Sequence, residues 1–440
     1  MAVMIPKSGK MRLIGTATAL TMFFAYLFHL TVPMSFLAPY YASFQSSLLS
    51  GSIETLLWLL VLVCTGTIFY FIPFYFGFLL LYSFGKVALT SVTFLPFLSV
   101  LIPAKNEEKT IGNTLNHLLK SDYPKDKMEI IVVASGSTDG TSEICQSFSS
   151  EGHIWVLADP LPRKGKPAAL NLGLASAKGD VIAVYDADTI VEPQTLRNLV
   201  APLSQAEVSA SCGPTGVLNQ EENGLTKATA LENTYYSGAG LVFEIRERLG
   251  QEIDLLGRNY CIRKDILEEL GGFEETSLTE DFSLMFKLKE QGRRIAFCPK
   301  AFARDLVPSD WKAYSAQRKR WTAGWNVENK KYMATTKNKR KAVLGLINFL
   351  IQGHACVFAF LAAIFAVVFW LLGEYFLMTS ALLTLFFTIA IMVVAVHKYG
   401  NKRYSLLLHF PRYVYIYLYM FRYAAIQPEK GVEWEKTPTS

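Results

Sequence analysis

DVIAVYDAD, Asp180 to Asp188, is an unbroken apolar run that ends on two carboxylates. Apolar residues in succession, with no polar alternation, describe a strand buried on both faces, which is the habit of a parallel sheet covered by helices. PFLSVLIPA (96–104), MEIIVVAS (128–135) and HIWVLAD (153–159) have the same character. Between them, helical patterns occupy Glu107–Lys120, TSEICQSF (141–148) and PAALNLGLASA (167–177). The alternation predicts an α/β unit with a mainly parallel sheet, whose ligands lie beyond the carboxyl ends of the strands. YDAD, Tyr185–Asp188, stands at such an end. Two acids two positions apart can face one cation, and hard oxygens suit Mg²⁺ or Mn²⁺ held jointly with a diphosphate. A strand end whose acids meet water, or cap the next helix, is the plainer reading. No histidine lies nearby in sequence, which argues against zinc.

Three further stretches carry chemistry. RKGKPAALN (163–171) sets cations before a helix expected to begin at Pro167, a residue suited to a first helical turn. Cations there oppose the helix dipole unless an anion is bound among them; an exposed basic loop is the alternative. SLTEDFSLMFKLKEQG (277–292) reads as a helix with acids in its first turn. Ser277 and Glu280 have capping-box spacing, and the dipole predicts a lowered pKa for Asp281, consistent with an ionised general base. In AYSAQRKRWTAGW (313–325), Gln317, Arg320, Trp321 and Gly324 fall along one helical face. Amide, guanidinium and indole in one stripe suit a diphosphate beside a stacked sugar, and a membrane-surface anchor is the competing reading.

The chain has 440 residues, of which 51% are hydrophobic and 18% charged, a balance that points to a membrane class. Apolar runs at 13–32, 53–82, 343–372 and 375–396 predict two transmembrane hairpins, within regions 1–94 and 342–403. Lysine and arginine cluster before residue 13, at Lys337–Lys341 and after Lys398, and are missing from 33–52. The positive-inside rule therefore places the central region 95–341 in the cytoplasm of a multi-pass cell-membrane protein. Within 404–440, the tyrosine-rich stretch 404–423 carries Pro411, Arg412 and Arg422, and reads as an interfacial or re-entrant helix, with a membrane-spanning helix as the alternative. Six cysteines show no metal-ligand spacing and read as reduced thiols. The net charge of +6 bears on topology rather than on nucleic acid, and oligomeric state is left open.

Taken in order, SVLIPAKNEE, VVASGSTDGT, GKPAALN, YDAD, TED and QRKRW resemble the family-two membrane glycosyltransferases, the group of cellulose, chitin, hyaluronan and poly-N-acetylglucosamine synthases. The resemblance runs from Phe97 to Trp325. It implies a cytoplasmic α/β GT-A domain combined with transmembrane helices, and inverting transfer from a nucleotide-diphosphate sugar. By that resemblance Asp281 is the catalytic base. Pro103, Ala104, Glu107, Ser135, Lys166, Asp186 and Arg320 serve the donor nucleotide. Asp186 and Asp188 serve a Mg²⁺ or Mn²⁺ ion. Glu280, Gln317, Trp321, Arg258 and Asn259 serve the acceptor.

The chain departs from the pattern at Ala134-Ser135, where family members often carry an acidic pair that reads uracil. UDP-sugar is still the expected donor. GVEWEKTPTS (431–440) is similar to the Trp-Lys-Thr endings of such enzymes, with Trp434 and Lys436 as a gate or a disordered terminus as the alternative. The expected activity is extension and passage of a β-linked glycan; transfer of one sugar to a lipid acceptor is the alternative. Membrane lipid is an expected partner in both.

Overall fold

The computed structural model describes residues 72–85, 87, 93–149, 152–159, 165–371, 373 and 375–424. The first expected span, most of the second, Arg163, Lys164 and the tail from 425 lie outside the described residues. The chain divides into two compact units, 1–85 with 355–391 and 86–354 with 392–440.

The larger unit is built on a seven-stranded sheet in the order β3-β2-β1-β4-β8-β6-β9. Its strands are β1 Leu98–Ala104, β2 Met128–Ser135, β3 Ile154–Asp159, β4 Val181–Val184, β6 Val208–Cys212, β8 Tyr260–Arg263 and β9 Arg294–Phe297. Pairings β2/β3, β1/β2, β1/β4 and β6/β9 are parallel, while β8 runs antiparallel to both of its neighbours. The sheet is mostly parallel, as the unbroken apolar runs predict, and its arrangement is GT-A-like, as the family resemblance implies. β2 and β4 are buried along their whole length. Helix Gly165–Ser176 covers β1 and β2 closely, because a Cβ on Gly173 would lie 3.2 Å from Leu101 and 3.3 Å from Val133. A small sheet, β5 (Ile190–Val191), β10 (Ala303–Asp305) and β7 (Thr215–Val217), completes the framework.

Several boundaries differ from expectation. The helix after β1 begins at Ile111, not Glu107, because Asn106 adopts a φ of 55° and the chain turns before it coils. The helix after β3 begins at Gly165, ahead of Pro167. The apolar run 343–372 is divided at His354 into helices Lys339–Gly353 and Ala355–Leu371. Among the described residues one helix, Met378–Tyr399, is long and apolar enough to cross a membrane, and the divided pair passes only if taken as one span. Helix Phe410–Ala424 has 15 residues, short of the roughly 20 that a span needs.

In the smaller unit, the rings of Phe76 and Phe358 lie 5.9 Å apart. A Cβ on Gly77 would come within 3.3 Å of Phe387. Val367, Trp370, Leu371 and Phe386 are exposed.

Candidate active site

Strand direction gathers the chemistry at one edge. β1, β2 and β4 end there, and antiparallel β8 begins there, with Tyr260 opposite Val184. Residues just before β8, Gly257 to Asn259, therefore arrive beside YDAD from far along the chain. The turns after β1 and β2 clasp one another across the same edge. Asn106 Oδ1 accepts from the Thr138 N–H at 2.8 Å, the Glu107 N–H donates to Thr141 Oγ1 at 2.7 Å, and the Gly140 N–H donates to Glu108 Oε2 at 2.9 Å. Pro103, Ala104, Glu107 and Ser135 thus sit in or beside one fixed pair of turns. Asn106 was not foreseen, although an asparagine in a turn is the signal for a left-handed residue.

Lys166, in the first turn of its helix, ties this edge together. Its Nζ lies 2.7 Å from Asp186 Oδ1 and 3.1 Å from Glu280 Oε1, and donates to the Gly257 carbonyl at 2.8 Å. Burial opposes the ammonium charge, yet Asp186, Glu280 and Asp281 outweigh it and raise the pKa. An ammonium has three donors, so the protein itself satisfies this one. Glu280, expected toward the acceptor, is buried instead and paired inward with Lys166, as a desolvated carboxylate requires.

Asp281 opens helix Glu280–Glu290, against Gly257, whose Cβ would lie 3.0 Å from Asp281 Oδ2. Contrary to the expected lowering, its pKa is pushed up from 3.8 to about 7. Burial raises it most and the Glu280 charge adds to that, while Lys166, the Phe282 N–H and Arg320 pull it back. Desolvation and a like charge here outweigh the dipole. The expected capping box is not formed either. Thr279 occupies the cap without a side-chain bond, and Ser277 Oγ donates to Glu328 Oε1 at 2.8 Å.

The RKRW segment lies on a 25-residue helix, Trp311–Thr335, begun by Asp310 accepting from the Ala313 N–H. Gly324 shows which way the stripe faces. A Cβ there would fall 2.3 Å from Thr279 Oγ1, so Gln317, Arg320, Trp321 and Gly324 share the face turned to TED. The charge of Arg320 reaches Asp281. Arg258 lies with its guanidinium 5.6 Å from the centre of the Trp321 ring, held by Asp305 Oδ2 at 2.9 Å. Asn259, expected to serve the acceptor, is wholly buried at a φ of 53°. Its amide donates to the carbonyls of Pro214 (3.0 Å) and Ala301 (2.7 Å), and its oxygen accepts from Tyr185 OH at 3.1 Å. It therefore braces the edge and is closed to a ligand.

Asp305, in β10, is a carboxylate that sequence reasoning missed, since nothing in ARD distinguishes a short strand beside YDAD. Burial raises its pKa to about 6 against the pull of Arg258, and Asp186 adds to the rise. Asp188 is raised too, first by burial and then by Asp305, Asp186 and Glu107. Such an excess of negative charge fits a divalent cation. Among the described residues, no three His, Cys, Asp or Glu side chains could hold a metal by themselves. Carboxylates of this kind suit an ion that takes its remaining oxygens from a diphosphate and water. A separate pocket, lined by Thr215, Asn233, Phe302, Arg304 and Tyr399 among others, lies beside the small sheet and contains none of these acids.

The family model described as glycosyltransferase like family 2 matches residues 96–324. The probable glycosyltransferase YdaM of Bacillus subtilis is 36% identical over 260 residues, covering 57% of this chain and 60% of that protein. The poly-β-1,6-N-acetyl-D-glucosamine synthase of Staphylococcus aureus is 29% identical over 271 residues, covering 61% and 64% respectively. The chain thus spans less than two thirds of the length of these curated relatives. Among solved structures, the mannosyltransferase PcManGT of Pyrobaculum calidifontis, in complex with GDP-Man and Mn²⁺, has a TM-score of 0.49 and 21% identity, over 78% of this chain and 98% of that one.

Proposed function

We propose, from the premise that the chain belongs to the glycosyltransferase like family 2, that it is an inverting transferase extending a β-linked glycan from a nucleotide-diphosphate sugar. UDP-N-acetylglucosamine is the first donor to test, in view of the Staphylococcus relative. The observation that carries the reading is the gathering of Asp281, Lys166, Asp186 and the helix of Arg320 and Trp321 at one end of the sheet: Lys166 lies 2.7 Å from Asp186 and 3.1 Å from Glu280, and Gly324 packs on Thr279 beside Asp281, whose carboxyl is pushed up to about 7. A base poised near the working pH can take a proton from an acceptor hydroxyl and remain unprotonated often enough to do so.

The residues divide the work. Asp281 removes the hydroxyl proton as the acceptor oxygen attacks the anomeric carbon. Lys166 holds Asp186 in place, and Asp186 with Asp188 would hold Mg²⁺ or Mn²⁺, which when bound offsets charge on the departing diphosphate. Arg320 adds positive charge on the same side. The turns carrying Pro103, Ala104, Glu107 and Ser135 seat the nucleotide, and Trp321 with Gln317 seats the acceptor sugar. The small unit and the helices at 339–371 and 375–399 are the proposed membrane part, with the catalytic unit cytoplasmic. Incubation of purified protein with UDP-N-acetylglucosamine, followed by product mass, tests the reading. A ladder of sugar additions is expected; a single sugar on a lipid would replace the polymer reading with the lipid one.

A further inference from the structure

We propose that Glu232 is a positioning residue: through Arg318 it fixes the plane of the Trp321 ring. The claim rests on Trp321 seating the acceptor, as proposed above. Glu232 ends helix Gly224–Glu232 and is 3% exposed. Arg318 grips it with both prongs, NH1 at 3.1 Å from Oε1 and NH2 at 2.7 Å from Oε2. Ser237 Oγ donates to the same carboxylate at 2.5 Å and Tyr314 OH at 3.3 Å. The Arg318 guanidinium then lies between rings, 4.9 Å from the centre of Tyr314 and 4.7 Å from that of Trp321.

Trp321 therefore touches two guanidiniums, those of Arg318 and Arg258, and each is anchored on a buried carboxylate, Glu232 and Asp305. A buried ion pair is a poor means of stabilising a helix contact, because apolar side chains of like volume do it as well. What the planar fork adds is direction: two parallel bonds fix the guanidinium plane, and a fixed guanidinium 4.7 Å from the Trp321 ring centre limits how that ring can turn. Arg318 falls off the Gln317/Arg320 stripe, so it braces the indole from the protein side and leaves Gln317 and Arg320 to the ligand.

The test compares the full chain with Arg318→Lys and with the double variant Glu232→Leu/Arg318→Met, each also made with Trp321→Phe. Subtraction isolates the Trp321 fluorescence, and acrylamide quenching reports how firmly the ring is held. Kinetics use UDP-N-acetylglucosamine and a β-1,6-linked N-acetylglucosamine oligosaccharide. Arg318→Lys is expected to raise Trp321 quenching and to raise acceptor KM roughly tenfold or more, with donor KM unchanged. The double variant is expected to keep its melting temperature without recovering either property. Unchanged quenching in Arg318→Lys, or recovery of both properties in the double variant, overturns the proposal. Failure of the parent chain to transfer sugar strikes the functional reading, while quenching still decides whether Glu232 and Arg318 hold the ring.

Discussion

Asp281 combines two properties that conflict in most carboxylates: burial pushes its pKa up to about 7, and yet the residue is only half-buried. Activity limited by this base should rise with pH through about 7, and the acid limb of kcat/KM measures it. Lys166 lowers that value, so Lys166→Met should move the limb to higher pH by about one unit. Movement to lower pH would contradict the assigned electrostatics. Asp281→Asn should abolish transfer while leaving donor binding intact. The same change should stabilise the fold. Because the folded state holds this proton up to about 7 and the unfolded state releases it near 3.8, ionisation costs stability as pH rises through that window. Removing the carboxylate should return on the order of 1 kcal/mol at pH 8, read as a higher melting temperature than the parent.

Elements place these residues, and Gly324 is where the placement is most exposed to test. Gly324→Ala drives a methyl into Thr279, a short side chain that is itself buried. The helix Trp311–Thr335 must then move off TED, at about 1–3 kcal/mol. A kcat loss greater than the loss of stability is expected, and unchanged kinetics would show that the two motifs need not touch. This contact explains what was legible beforehand. Strand runs such as VIAV and MEIIVVAS announce their burial in their composition, and the stripe through Gln317, Arg320 and Trp321 follows from helical period alone. Asp305, Glu232 and the inward turn of Glu280 were not legible, because each depends on a partner far away in sequence. The pKa of Asp281 was misjudged for the same reason: the dipole is local and visible, whereas desolvation and the neighbouring Glu280 charge come from the folded edge.

At the scale of the molecule, the proposed function requires a divalent cation beside the departing diphosphate. Asp186, Asp188 and Asp305 leave an excess of negative charge at the sheet edge, so treatment with EDTA should stop transfer and Mg²⁺ or Mn²⁺ should restore it. Full activity in the chelator would remove the cation from the account. The central claim is that this edge transfers sugar from a nucleotide diphosphate to a carbohydrate hydroxyl. Its most direct test is mass spectrometry of products made by the purified chain in nanodiscs from UDP-N-acetylglucosamine and Mg²⁺, beside Asp281→Asn. A ladder of products spaced by one N-acetylglucosamine, present in the parent and missing from the variant, is predicted; a ladder that survives Asp281→Asn, or no transfer from any nucleotide sugar, would contradict it.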